Sequence, residues 1–327
     1  MSAAAGDRRR VAVVGATGAV GSQLVELLIE RGFPFSELRL FVSPESAEAT
    51  IEINEQSYPV QPLNDPADLR GFDVAFLAVP SSAAGDIIRA RPDPLLIDLS
   101  TAAKVPSDIP IAAPGLTSRE RVVDLGRQMI IAAAHPAAEA IAGIVKALGT
   151  TSSFVGVTLM LSASSRGKDE VADLISQSVD LLNARLDVEE DETQMAFNVF
   201  LDEQEAELGA AISAQVEQLL GHPVKLALRV VRIPALHGQA LAIFVPAANA
   251  DNGFRDKLSA APGILLLEDD DTAGMIDAMG QEALCVSAKF VPSGLALWCV
   301  FDNARRAAMS AVWLAESAMP GTASLIN

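Results

Sequence analysis

The chain has 327 residues, enough for two domains that each bury a core, and half of those residues are hydrophobic. A formal net charge of -18, from 24 Lys and Arg against 42 Asp and Glu, argues against a nucleic-acid backbone or an anionic membrane surface as partner. The two cysteines, Cys285 and Cys299, lack metal-ligand spacing and form no disulfide framework, so no metal site is expected, and a reducing cytoplasm fits.

The N-terminal segment MSAAAGDRRR carries no long apolar run or cleavage site of the kind a secretory leader needs, and no window of the chain reaches membrane-span length. Next comes RVAVVGATGAVGSQLVELLIERG, in which a β-branched run, a glycine turn and an amphipathic helix with Leu24, Leu27 and Leu28 on one face follow one another. Gly15, Gly18 and Gly21 stand where a strand hands over to a helix. Small residues there let backbone approach a pyrophosphate, and the helix start supplies free N–H donors. With Thr17, Ala19 and Val20 between them, they are the expected phosphate cradle.

The second strand ends in FVSPESAEA, where nucleotide choice is made. Glu45 would hold a ribose hydroxyl and repel a 2′-phosphate, with Ser43 and Ser46 as hydroxyl donors beside it, although a solvated loop glutamate is an equal reading. LRLFVS, VAFLAV and PLLIDLS read as further buried strands, and SSAAGDIIRARPD as a helix between two of them, which predicts a parallel α/β sheet.

From about Gly149 the pattern changes. GVTLMLSAS, VKLALRVVRIPAL, GQALAIFVPA and LALWCVFD read as strands with helices near 169–184 and 208–220, which predicts a separate α+β domain. The acidic segments DVEEDETQ and DEQEAE read as solvated loops, and DNARRAAMSAVWLAESAM as a closing helix with small residues on its packing face.

VAVVGATGAVG, SPESAE, FLAVPSSAA, IDLSTAAKVPSDIPIAAPGLT, IAAAHPAAEA, RIPALHGQ and VFDNARRAA occur in the order of motifs of the aspartate-semialdehyde dehydrogenase family. The chain resembles that family over essentially its whole length, and SASSRGKDEVADLISQSVDLLN and QMAFN are most similar to its divergent Usg-type branch. The resemblance implies a Rossmann-like NAD(P)-binding domain of residues 1–136, rejoined by a C-terminal helix of residues 303–327. It implies an α+β dimerisation and substrate domain of residues 137–302, and a homodimer.

The family converts aspartate semialdehyde to aspartyl phosphate with NADP and phosphate. A cysteine thiolate attacks the aldehyde, hydride passes to the nicotinamide, and a histidine acts as acid and base. Aligned through Pro136, Ala138 occupies the nucleophile position and Ala137 its neighbour, while Gln239 occupies the acid/base position. His135 and His237 are the remaining candidates for proton transfer, with His237 two residues before the family position. The family's substrate-placing glutamine is matched to Met160, and its glycines to Ser164 and Arg166.

By the same resemblance Arg232 would grip a small carboxylate, its planar guanidinium suited to a bidentate pair. Lys104 stands for the family's phosphate-binding arginine, and no second cation follows between Arg185 and Lys225. Ser81, Ser82 and Asn303 match positions near the cofactor, and Glu45 replaces an arginine beside the 2′-phosphate, which leaves NADP or NAD open. The expectation is a catalytically impaired relative that keeps nucleotide and carboxylate binding. The alternatives are residual semialdehyde dehydrogenase activity or non-covalent hydride transfer, with His135 or His237 as acid/base, and, in a third class, a purely structural dimer.

Overall fold

The computed structural model describes residues 8–44, 50–53, 56–100, 109–149, 154–185, 193–246, 253–269 and 271–319. The chain divides into two compact units, one of residues 1–135 with 304–327 and one of residues 136–303.

The first unit opens with β1 (Arg9–Val14), α1 (Ala19–Glu30) and β2 (Phe35–Val42), followed by the hairpin of β3 (Thr50–Ile53) and β4 (Gln56–Pro62). It continues through β5 (Val74–Leu77), α2 (Ser81–Ala90), β6 (Leu95–Asp98), β7 (Ile111–Ala112), α3 (Arg119–Gly126) and β8 (Ile130–Ala133). The strands form one sheet in the order β3-β4-β2-β1-β5-β6-β8-β7. Every pairing is parallel except that of β3 with β4.

Burial on both faces explains the near-continuous apolar runs of β5 and β6. Leu24, Leu27 and Leu28 of α1 are fully buried, as the periodicity predicts. The short, half-exposed hairpin of β3 and β4 is not readable in the sequence, because its polar residues give neither a hydrophobic run nor a clean alternation.

The second unit contains α4 (Pro136–Leu148), β9 (Phe154–Leu161), α5 (Lys168–Leu182), β10 (Phe200–Leu201) and α6 (Glu205–Leu220). These are followed by β11 (Lys225–Arg232), β12 (Gln239–Pro246), α7 (Phe254–Ser259), β13 (Ile264–Leu266), β14 (Leu284–Val291) and β15 (Gly294–Phe301). Its sheet is mixed, in the order β10-β11-β9-β12-β15-β14-β13. One face is packed tight, with Leu159, Val230, Leu241 and Cys299 fully buried. On the other face Thr158, Ala242, Phe244 and Trp298 remain half-buried.

The segment DEQEAE is only partly the loop it reads as. Glu205 and Glu207 lie in the first turn of α6, where carboxylates oppose the positive end of the helix dipole. Most of DVEEDETQ lies outside the described residues. The chain closes with α8 (Asn303–Ala318), whose Ala308, Ala311, Val312 and Leu314 join the core of the first unit. No helix among the described residues is long and apolar enough to cross a membrane.

Candidate functional site

In the first unit, β1 lies between β2 and β5, all parallel, so the segments leaving their C-terminal ends share one edge of the sheet. The chain runs outward from β1 to β2 and then returns to place β5 on the other side of β1. That reversal is where open α/β sheets make a ligand crevice. The glycine turn, Ser43 and the start of α2 all emerge on this edge.

Two glycines of the turn are required by geometry. Gly15 has φ +84, and a Cβ there would collide with the carbonyl of Ala78, while a Cβ on Gly21 would collide with the backbone of Gly15. The Gly15 N–H donates to the Phe41 carbonyl at 2.8 Å and the Gly18 N–H to the Gly15 carbonyl at 3.0 Å, which fixes the turn against β2. Gly18 caps α1 without a side-chain hydrogen bond. The first-turn amides, at Ala19, Val20 and Gly21, thus have no side-chain cap, and such amides are where helix N-termini bind anions.

Ser81 is half-buried and Ser82 exposed at the first positions of α2, and Ser43 is exposed directly after β2. Thr17 is half-buried in the turn. Glu45, Ser46 and Lys104 lie outside the described residues. Asn303 is the half-buried first residue of α8.

His135 ends the first unit and is buried, and that burial holds its pKa down at about 4, so the imidazole is neutral near pH 7. Ala137 and Ala138 follow in the first turn of α4, both fully buried. His237 does not lie on a strand. It is exposed in the connection between β11 and β12, beside Gly238 with φ +85, so strand alternation cannot turn it toward Gln239.

Leu161 of β9 pairs with Arg232 on one side and with Gln239 on the other, so these three share a sheet face. Met160 points to the opposite face, where it packs with Ala240, Cys285 and Val300. The β9 residue sharing a face with Arg232 and Gln239 is therefore Leu161, not Met160.

Arg232 and Gln239 carry the polar chemistry of that face. The Arg232 side chain is only 7% exposed; its Nη2 lies 2.6 Å from Glu170 Oε2 and its Nη1 3.8 Å from Asp202 Oδ2. The Glu170 contact is close but lacks hydrogen-bond alignment, and Arg232 Nε has no acceptor. Gln239 donates through Nε2 to Ser165 Oγ at 3.2 Å, while its Oε1 is buried without a donor.

Asp202 is held differently. Arg166 Nη2 donates to both its oxygens at 2.6 and 2.7 Å, and the Gln204 N–H donates to one of them at 2.8 Å. Arg166, Glu170 and Arg232 line a cavity of about 400 Å³ whose wall includes Phe200 and Met195, with Asp169, Asp173 and Glu203 at its rim. Gln177 Oε1 accepts from the N–H groups of Met195 and Ala196 and so pins that wall to α5.

Sequence reading missed Glu170 and Asp202. The available signal was that a buried arginine demands carboxylate partners, and these two stand in acidic stretches where such a partner is hard to tell from a solvated one. Cys285 and Cys299 are buried, and burial raises both thiol pKa values, so neither is a nucleophile in waiting. Among the described residues, no group of three or more His, Cys, Asp or Glu could hold a metal ion.

Residues 10–124 match the profile of the semialdehyde dehydrogenase NAD binding domain. The chain is 32% identical to a USG-1 protein homolog of Pseudomonas aeruginosa over 94% of its own length and 96% of that protein. It is 27% identical to an aspartate-semialdehyde dehydrogenase of Synechocystis over 94% and 96% of the two chains. Its fold is similar to a solved probable aspartate-semialdehyde dehydrogenase from Pseudomonas aeruginosa, with a TM-score of 0.82 at 31% identity, covering 94% of this chain and 98% of that one. Aspartate semialdehyde dehydrogenase II of Vibrio cholerae, solved in complex with ASA, gives a TM-score of 0.83 at 26% identity over 95% and 98%.

Proposed function

Because the chain belongs to the aspartate-semialdehyde dehydrogenase family, in its USG-1-type branch, we propose that it is a catalytically impaired member that retains nucleotide binding and a site for a small carboxylate. The observation that carries this reading is the residue set on the shared face of β9, β11 and β12. Arg232 is kept and buried there, with an unsatisfied Nε, while the acid/base position is Gln239.

Ala138 has no atom that forms a thiohemiacetal, and Gln239 does not take up a proton near neutral pH. Loss of the nucleophile alone removes several orders of magnitude from a covalent enzyme, and the remaining machinery does not compensate. His135 is no substitute base, since its burial disfavours the imidazolium that proton abstraction would create.

The binding elements support the other half of the reading. The Gly15–Gly21 cradle and the free amides of α1 would hold a pyrophosphate, with Thr17, Ser43, Ser81 and Ser82 as neighbouring hydroxyls. A nicotinamide nucleotide, when bound, supplies a hydride donor or acceptor. Glu45 favours a free ribose hydroxyl, which makes NAD the better fit than NADP.

Arg232 would meet a ligand carboxylate, and Lys104 an accompanying anion. A second copy of the chain is the proposed partner, and the half-buried face at Thr158, Ala242, Phe244 and Trp298 supports that pairing. Calorimetric titration with NAD, NADH, NADP and NADPH tests the reading: micromolar binding of at least one supports it, and no binding of any overturns it.

A further inference from the structure

We propose that Glu170 is an internal carboxylate that occupies Arg232 and must be displaced before a ligand carboxylate can bind, so that it sets the affinity and selectivity of the cavity in the second unit. This rests on the carboxylate-binding reading of Arg232 given above.

Two carboxylates face Arg232, and they are held in different ways. Asp202 belongs to Arg166, which grips it through two hydrogen bonds at 2.6 and 2.7 Å, and the Gln204 N–H adds a third. Its approach to Arg232 is the longer one, at 3.8 Å. Glu170 comes closer, at 2.6 Å, yet its Oε2 accepts no aligned hydrogen bond. Strong guanidinium–carboxylate pairs are aligned and bidentate, so this contact has charge but little of the geometry that would lock it.

The position of Glu170 also makes release inexpensive. It lies in the first turn of α5, where a carboxylate is favoured by the helix dipole whether or not it touches Arg232. Its side chain is a quarter exposed, so on leaving the guanidinium it meets solvent. Arg232, by contrast, is anchored: 93% of its side chain is buried, it lies over the Phe200 ring at 6.0 Å, and Nη2 is 3.6 Å from Met195 Sδ. Gln177 fixes the backbone at Met195, so the arginine stays in place while the glutamate moves.

The cavity dictates what kind of carboxylate can take over. Asp169, Asp173 and Glu203 line it and have no cationic partner among the described residues. A simple anion would be repelled by that rim; a carboxylate that also bears an ammonium group would not. If the latch is closed about nine-tenths of the time, it lowers apparent affinity about tenfold.

The test is calorimetric titration of the full-length protein with β-alanine, which carries one carboxylate and one ammonium group. Wild type, Glu170→Gln, Glu170→Ser and Glu170→Asp are compared, with thermal melts to confirm folding. Glu170→Gln or Glu170→Ser is expected to bind about tenfold or more tightly than wild type, Glu170→Asp to return toward wild type, and Arg232→Met in the Glu170→Gln background to abolish binding. Equal affinity in wild type and Glu170→Gln overturns the latch and leaves the carboxylate site standing. Binding that survives Arg232→Met overturns the latch because the probe sits elsewhere. Absence of binding in every variant overturns both the latch and the carboxylate reading beneath it.

Discussion

Arg232 and Gln239 stand on neighbouring strands either side of Leu161, on the same sheet face, and each buries a polar atom without a partner: Nε, a donor, and Oε1, an acceptor. Orphaned polar groups are costly inside a fold, by about 1–3 kcal/mol each, and an unpaired donor and acceptor on one face are groups the proposed ligand would satisfy. On the proposed reading, this arrangement keeps the binding half of a dehydrogenase site and replaces its proton carrier.

The sheet register gives a direct test of which residue shares that face. Met160→Gln would push an amide into the cluster of Ala240, Cys285 and Val300, and is expected to lower stability by about 1–3 kcal/mol while leaving β-alanine affinity unchanged. Leu161→Gln is expected to change that affinity. Denaturant melts and calorimetry on the two variants separate the faces; the opposite pattern would mean the register is wrong.

Gly15 and Gly32 both have positive φ, but only Gly15 is crowded. Gly32→Ala is expected to lose about 1 kcal/mol to backbone strain alone and to bind nucleotide like wild type. Gly15→Ala should lose more than about 2 kcal/mol, because its methyl also meets the Ala78 carbonyl, and nucleotide-induced stabilisation in a thermal melt should vanish.

His135 makes stability depend on pH in a defined direction. Its folded pKa of about 4 lies below the ordinary value of 6.5, so between those pH values the unfolded chain binds the extra proton and stability falls as pH falls. The loss should amount to a few kcal/mol at most, complete near pH 4, and His135→Asn should flatten it. Asp98 works in the opposite sense, since burial raises its pKa and its contribution is lost as pH rises. Urea melts at pH 4.5, 5.5 and 7 for wild type and His135→Asn measure the difference. An unchanged slope in the variant would assign the effect to other groups.

Restoring sulfur alone should not restore chemistry. Ala138 is fully buried at the start of α4, so Ala138→Cys adds volume to a packed position at about 1–3 kcal/mol. With Gln239 still in place no acid/base accompanies the thiol, and semialdehyde oxidation should stay at background. Thiol labelling with and without denaturant reports whether the new cysteine is accessible.

The nucleotide-binding half of this molecule was legible in sequence because its signals are local. A strand, a glycine turn and a leucine-faced helix occupy residues 10–32, and Gly15 needs its conformation for reasons a motif already encodes. The second unit was legible as strands, yet the site on it was not, because register is a tertiary fact. A displacement of one residue moves Met160 to the other face, and two residues separate a strand position from the exposed loop that holds His237. Glu170 was hidden for a related reason: one glutamate on an acidic, half-exposed helix looks solvated until the fold brings a buried arginine to it.

The most direct test is turnover itself. L-aspartate semialdehyde is supplied with phosphate and either NAD or NADP at high enzyme concentration, and reduced nucleotide is followed by absorbance alongside an ordinary family member. An intact, nucleotide-binding protein without measurable phosphate-dependent reduction is the expected result. Turnover comparable with the ordinary enzyme would contradict it, and would require a nucleophile other than Ala138 and a base other than Gln239.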